Sequence, residues 1–188
     1  MFSLNPETTA LVLIDLQNGI INLPLEPYSG EKALSVGKTL AKKFRKAGAS
    51  VFLVRVTFSE NFPDVPPRNV DQPAEYPEGG YSPEWDQLAD GLKQSGDMVI
   101  TKRQWGAFYG TELDLQLRRR GIQTIVLSGI ATNFGVESTA RQAWEHGYDL
   151  VIAEDGCTSF SQALHDMAVQ QIFPRLAHVV QSQNIVLK

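Results

Sequence analysis

Apolar and polar positions follow two different patterns along the chain, and the two patterns predict strands and helices in turn. Continuous apolar runs are typical of strands that are covered on both faces, whereas apolar residues at helical spacing are typical of amphipathic helices. Strands are predicted at 9–14, 50–56, 98–101, 124–129, 148–153 and 178–180. Helices are predicted at 31–47, 111–120, 135–146 and 163–177, the last one kinked or shortened by Pro174. This alternation predicts an α/β fold built on a parallel sheet with right-handed crossovers.

Residues 61–85 interrupt this pattern, because six of the ten prolines fall here. The segment shows neither helical nor strand periodicity. A stretch of this length without such a pattern is typical of a functional loop, a lid or a partner-binding arm. Its large apolar side chains favour an arm, and we expect either this segment or the aromatic loop 105–109 to cross to a neighbouring subunit. We find no internal repeat, so residues 1–188 are predicted to form a single domain that carries this proline-rich loop.

Composition excludes several classes of protein. The 188 residues include 17 basic and 21 acidic side chains, a net charge of −4, which argues against a nucleic-acid binder. No run approaches ~20 consecutive apolar residues, so no membrane span is expected. Cys157 is the single cysteine, which cannot form an internal disulfide and fits a reducing compartment. With no leader pattern at the N-terminus, we expect a cytoplasmic enzyme or binding protein.

Polar side chains follow several of the predicted strands at the point where each strand ends. Asp15, Arg55, Lys102 and the turn at 130–135 all occupy such positions, where α/β proteins place their active sites. Burial would raise the pKa of Asp15 and suit it to proton transfer, although a carboxylate here also caps turns. Lys102 would face Asp15 or an anionic substrate; the alternative is a lysine whose stem lies along the sheet edge.

Other candidate residues carry weaker signals. The aromatic residues Trp105, Phe108 and Tyr109 suit either a flat pocket wall or core packing. The three histidines share no ligand spacing, and we predict no metal site. No cofactor-binding motif is present, so no cofactor is expected. Cys157 has no histidine near it in sequence and is interpreted as a buried, inert thiol.

Four segments in this order resemble the isochorismatase-like (cysteine hydrolase) superfamily. They are Ala-Leu-Val-Leu-Ile-Asp-Leu-Gln at 10–17, Val-Arg-Val at 54–56, Lys102 with Trp-Gly-Ala-Phe-Tyr-Gly-Thr at 105–111, and Gly-Ile-Ala-Thr-Asn-Phe-Gly-Val-Glu-Ser-Thr-Ala-Arg at 129–141. The resemblance implies a Rossmann-like three-layer α/β/α fold whose central, mostly parallel sheet has about six strands. It also implies a homo-oligomer, either dimer or tetramer, and a cis peptide bond between Ile130 and Ala131.

The same resemblance assigns a catalytic set. Cysteine members cleave amides with an Asp, a Lys and a Cys, and these positions match Asp15, Lys102 and Gly135. Glycine has no side chain, so covalent catalysis at that position is chemically impossible. True isochorismatases also have glycine there, and their Asp acts as the general acid on a vinyl ether. The resemblance therefore implies a hydrolase that works without a thiol. The alternative is a non-catalytic small-molecule-binding or assembly protein that has lost the nucleophile.

The resemblance leaves the substrate open. Ala131 and Asn133 stand where isochorismatases tend to carry a tyrosine and a histidine, and the turn is closer to that of the amidases. Lys102 is expected to anchor a substrate carboxylate, so an anionic small molecule is one interpretation. Ala131 and Gly135 are expected to offer backbone N–H groups. The pocket is expected to be shaped by Gln17, Arg55, Trp105, Phe108, Asn133 and Phe134.

Overall fold

A six-stranded sheet forms the centre of the protein, which is described here by a computed structural model covering residues 1–188. Its strands are β2 (Thr9–Ile14), β3 (Ser50–Val56), β4 (Met98–Lys102), β5 (Thr124–Ile130), β6 (Asp149–Thr158) and β7 (His178–Val180). All neighbours are parallel, in the order β4-β3-β2-β5-β6-β7. The predicted parallel sheet is therefore confirmed, although β6 runs on to Thr158 instead of ending at Ala153.

The helices α2 (Gly30–Lys46), α3 (Leu113–Arg119), α4 (Glu137–Glu145) and α5 (Gln162–Met167) match the predicted ones within a few residues, except that α5 is much shorter. After α5 the chain continues through a π-helical turn, Ala168–Ile172, and a 3-10 turn that contains Pro174. A short helix, α1 (Asn18–Ile21), and a small parallel pair, β1 (Phe2–Leu4) with β8 (Ile185–Leu187), were not predicted. Elements of three or four residues are too short to show a periodicity.

Helices cover both faces of the sheet. Successive residues of β2 point to opposite faces, so Val12 packs with the α3 and α4 side while Leu13 packs with the α2 side. Residues such as Leu40 and Phe44 of α2 are completely buried against this second face. The three-layer α/β/α arrangement is confirmed, and the carboxyl ends of all six strands meet at one edge. None of the helices is both long and apolar enough to cross a membrane.

The proline-rich segment packs back onto its own chain. No helix or strand lies between Val56 and Met98. Instead, aromatic rings contact one another, and the Tyr81 and Trp85 rings stack with their centroids 3.8 Å apart. Trp85 also covers Gly19 of α1 so closely that a Cβ at Gly19 would lie 2.0 Å from the indole Cδ1. The segment is thus a packed loop, while its expected contact with a neighbouring subunit stays a prediction.

Gln17 fastens this loop to the sheet. Its side-chain amide donates to the carbonyls of Val56, at 3.0 Å, and Trp85, at 3.2 Å, and its oxygen accepts from the Val56 N–H at 2.9 Å. The residue has no exposed surface. We expected Gln17 to bind substrate, but both amide hydrogens are used by the backbone, so its role is structural.

The structural role of Gln17 leads to a test on stability. Gln17→Leu would remove the side-chain partner of the half-buried Val56 N–H and carbonyl, whereas the Trp85 carbonyl would still accept from the Gly19 N–H. Since each unpaired buried group costs ~1–3 kcal/mol, we expect the free energy of unfolding to fall by about 2–4 kcal/mol in urea titrations. The control is Asn22→Ala, which removes only an exposed bond to Asn18 and should change stability by less than ~0.5 kcal/mol. Equal stability of the two variants would contradict the assignment.

Candidate active site

A buried ion pair occupies the edge where the strands end. Asp15 directly follows β2, and its backbone N–H donates to the Val54 carbonyl at 2.9 Å. Its φ of 51° lies in the left-handed region, which aspartate tolerates better than most residues. Lys102 is the last residue of β4, and its Nζ lies 2.7 Å from Asp15 Oδ2. Asp15 is 5% exposed and Lys102 is 2% exposed, so solvent screens the pair weakly.

The two oxygens of Asp15 have different environments. Oδ2 accepts from Lys102, whereas Oδ1 is buried and has no hydrogen-bond partner. Burial raises the pKa of the Asp15 carboxyl above its ordinary value, and the nearby ammonium opposes part of that rise. The unpartnered oxygen and the raised pKa together describe a carboxyl group that suits proton donation to a bound molecule.

Gly135 lies beside this carboxyl group. A Cβ at Gly135 would lie 3.4 Å from Asp15 Oδ2, 3.4 Å from the Ile130 carbonyl oxygen and 3.0 Å from Ile14 Cγ2. A side chain would therefore fit here only after a small shift of Ile14. The structure thus brings together the three positions that the sequence assigned to the catalytic set.

The turn that carries Gly135 begins at the end of β5. The Ile130–Ala131 peptide bond is cis, as the resemblance implied, and a π-helical turn follows at Thr132–Val136. The N–H groups of Phe134 and Val136 both donate to the Ala131 carbonyl at 3.1 Å. The N–H of Ala131 itself donates no hydrogen bond within the chain, so it is free to bind a ligand.

Lys102 uses two of its three N–H donors within the chain. Besides Asp15, its Nζ donates to the Gln104 carbonyl at 3.0 Å. The expected contact with Asp15 is present, while the expected role of Lys102 as anchor of a substrate carboxylate stays a prediction that depends on the one remaining N–H. Arg55 is more accessible: its guanidinium contacts Thr101 Oγ1 at 3.2 Å and Asp86 Oδ2 at 3.4 Å.

Aromatic side chains lie on the segments that flank the ion pair. Trp105 follows Gln104 and is 60% exposed, and its ring meets that of Phe134 at 4.8 Å between centroids. Phe134 in turn contacts Phe160, a residue that the sequence analysis missed because it follows no predicted strand. Phe108 was expected in the pocket but is buried in the core, where it stacks on His146 at 5.1 Å.

Asn133 and its neighbours form a second polar group behind the turn. The Ser159 hydroxyl donates to Asn133 Oδ1 in a short hydrogen bond. Next to this contact, Thr132 bonds to His165, which is 2% exposed. Neither Ser159 nor His165 follows a motif, and only the folded chain brings them to the turn.

Cys157 lies in the core with no exposed surface. Its Sγ donates to the Ala153 carbonyl at 3.4 Å, and burial raises the pKa of the thiol to about 12. These properties describe an inert thiol. Nowhere in the chain do three or more His, Cys, Asp or Glu side chains come together in a way that could hold a metal ion.

Comparisons of the sequence and of the structure with known proteins point to the same family. The Isochorismatase domain family matches residues 9–184. The uncharacterized isochorismatase family protein YecD of Escherichia coli O157:H7 is 48% identical over 187 residues, which cover 99% of this chain and 98% of YecD. A solved isochorismatase family protein from Burkholderia thailandensis superimposes with a TM-score of 0.91 at 44% identity, over 97% of this chain and 95% of that one.

A third relative has a named activity but matches over a shorter stretch. The ureidoacrylate amidohydrolase RutB of Methylorubrum extorquens is 42% identical over 91 residues, which are 47% of this chain and 37% of RutB. The family match spans nearly the whole chain and agrees with the fold. The chain therefore belongs to the isochorismatase-like (cysteine hydrolase) family.

Proposed function

We propose that this protein is a thiol-independent hydrolase of a small molecule that contains a vinyl (enol) ether, with Asp15 as the general acid. The observation that carries the proposal is the Asp15 carboxyl group, which has a buried, unpartnered Oδ1 beside a residue without a side chain, Gly135. Gly135 provides no nucleophile beside the acid. No cofactor takes part in the proposed reaction.

The chemistry needs one proton donor and one water molecule. Asp15 gives its proton to the terminal carbon of the enol ether, which leaves an oxocarbenium ion and a carboxylate. Water adds to the cationic carbon and returns a proton to Asp15. The resulting hemiketal then collapses by breaking the carbon–oxygen bond to the leaving group, which yields a ketone and an alcohol. The carboxylate also stabilises the cation that develops in the first step.

Lys102 and Ala131 have supporting roles in this scheme. The ammonium of Lys102 fixes Oδ2 and leaves Oδ1 to face the substrate. It also keeps the pKa of Asp15 from rising so far that the acid becomes too weak to transfer its proton. The free N–H of Ala131 would orient the ether oxygen or the attacking water.

The charges around the site bear on the substrate. The Lys102 ammonium contacts Asp15 at 2.7 Å, and Arg103 contacts Asp64 at 2.7 Å. The Arg55 guanidinium meets Asp86 only at 3.4 Å and is partly exposed. An anionic substrate group would therefore bind Arg55 in place of Asp86. The exposed rings of Trp105 and its neighbours suit the planar part of such a substrate.

The alternative is a non-catalytic small-molecule-binding or assembly protein, in which Asp15 and Lys102 remain as a structural ion pair. An amidase, as the partial match to RutB suggests, would need another nucleophile, because the inert Cys157 is buried in the core. A turnover screen against enol ethers, including isochorismate, and amides separates these functions. We further propose a cytoplasmic homo-oligomer, which light scattering of the purified protein would test.

The acid role predicts the effect of Asp15→Asn. The amide keeps the shape of the side chain but cannot supply the proton, and general acids contribute roughly 10²–10⁴-fold to rates. We expect kcat on the best enol ether to fall by about that factor, with a small change in KM. The control is Asp149→Asn, an exposed carboxylate at the start of β6, which should leave kcat unchanged. Full activity of Asp15→Asn would rule out the mechanism.

The ion pair predicts a pH shift in Lys102→Met. Activity requires protonated Asp15, so kcat/KM falls as pH rises through the pKa of that group. Removing the ammonium removes the interaction that lowers this pKa, and charges within ~4–6 Å shift a pKa by about 1–3 units. The alkaline limb of the kcat/KM profile should therefore move to higher pH. Lys102→Arg keeps the charge, and Lys93→Met is remote from the site. Both should leave the pH at which kcat/KM falls unchanged. A downward shift would be incompatible with an acid at Asp15.

The buried thiol predicts resistance to alkylation. Iodoacetamide should not modify Cys157 in the native protein, since the thiol has no exposed surface and burial raises its pKa to about 12. Mass spectrometry should find the label only after unfolding in guanidinium chloride. Turnover should be equal before and after treatment. Loss of activity upon labelling, reproduced by Cys157→Ser, would show that a thiol takes part after all.

A further inference from the structure

A chain of buried polar side chains lies behind the turn that carries Gly135. Thr132 is completely buried, and its Oγ1 lies 2.9 Å from Nδ1 of His165 on α5. The other ring nitrogen, Nε2, lies 3.1 Å from Oε1 of Glu154 on β6. His165 is only 2% exposed, so both contacts form where water competes weakly. The hydrolysis proposed above uses none of these three groups.

The direction of the hydrogen bond between His165 and Glu154 follows from the carboxylate. The contact with His165, despite the opposing effect of burial, holds the pKa of Glu154 below its ordinary value, and bonds from Gln181 and Tyr28 act in the same direction. An ionised carboxylate only accepts hydrogen bonds, so His165 Nε2 carries the proton. Nδ1 forms the other hydrogen bond of the ring, to the Thr132 hydroxyl. Glu154 thereby orients His165, and His165 orients Thr132.

Thr132 is well placed to transmit this constraint to the site. It is the first residue of the π-helical turn and directly follows Ala131, whose N–H is free. Three residues later, Gly135 borders Asp15 Oδ2. The only other side-chain hydrogen bond that holds the start of this turn is the one from Ser159 to Asn133. A turn anchored at Thr132 cannot rotate relative to the sheet without breaking the bond to His165.

We propose that His165, held by Glu154, is a positioning residue that fixes Thr132 and with it the turn that borders the Asp15 carboxyl group. Any effect of His165 on turnover rests on the proposed function, whereas its effect on the position of the turn does not. Groups that face the imidazole are the Glu154 carboxylate and the Tyr28 ring, whose hydroxyl also donates to Glu154. Asp166 is the nearest carboxylate in sequence on the histidine's own helix.

A cysteine introduced at Gly135 serves as a probe that needs no substrate. The thiol of Gly135→Cys would lie next to the turn and the ion pair, after a small shift of Ile14. Its reactivity depends on how well the first N–H groups of the turn stabilise the thiolate. The rate of iodoacetamide labelling as a function of pH therefore reports the geometry of the turn. Cys157 is buried and provides no background.

Three further variants in the Gly135→Cys background test the hydrogen bond between Thr132 and His165. Thr132→Val keeps the shape but removes the hydroxyl, and His165→Gln cannot reach both partners. We expect each to raise the pKa of the new thiol and slow its labelling at neutral pH about three- to tenfold. Thr132→Ser retains the hydroxyl and should label at the parent rate.

A control separates positioning from general loss of stability. Ser161→Ala removes the N-cap of α5, where Ser161 Oγ accepts from the Leu164 N–H at 3.3 Å, and should lower the melting temperature without touching Thr132. Despite its lower melting temperature, this variant should react with iodoacetamide at the parent rate. Equal labelling rates in all variants, or equal slowing by Ser161→Ala and Thr132→Val, would overturn the proposal.

The labelling experiment is independent of turnover. If no enol ether is hydrolysed, the proposed function fails while the labelling rates still decide the role of His165. If turnover is found, Thr132→Val in the native background should lower kcat more than it raises KM, and Thr132→Ser should restore it. A change confined to KM would point to substrate contact by Thr132, which contradicts positioning.

Discussion

The buried ion pair between Asp15 and Lys102 constrains the whole edge of the sheet. It joins the ends of β2 and β4 across the intervening strand β3. The last residue of β2, Ile14, is level with Val54, so β3 and β4 run two residues further, to Val56 and Lys102. Burying two charges costs several kcal/mol per ion, which mutual attraction repays only in good geometry. Such a pair is a weak source of stability, and its presence at the active edge of the fold favours a role in chemistry.

The same edge is closed by backbone contacts. Gln17 ties the end of β3 to the proline-rich loop. The N–H groups of Asn18 and Gly19 in α1 donate to the carbonyls of Gln87 and Trp85, at the end of that loop and just beyond it. The loop thus holds the residues that follow Asp15 in place without supplying a side chain to its carboxyl group.

The sequence predicted the sheet and the meeting of Asp15, Lys102 and Gly135, because long apolar runs locate strand ends and parallel strands bring those ends together. It did not predict which neighbouring side chains would face the site. The Phe108 side chain lies in the core, where its ring stacks on that of His146, 38 residues later in the chain. Such partners depend on packing between distant segments, and local periodicity carries no information about them.

The glycine in the turn changes what the rest of the site can do. A thiol at Gly135 would lie near Asp15 Oδ2 and would exchange its proton with the carboxylate, so the aspartate would serve as a base. Without the thiol, only burial and Lys102 set the protonation of Asp15. Its Oδ1 has no hydrogen-bond partner within the chain. The carboxyl group that would activate a nucleophile in a cysteine enzyme has no thiol to deprotonate at Gly135, and this is why the proposed function gives it the role of proton donor.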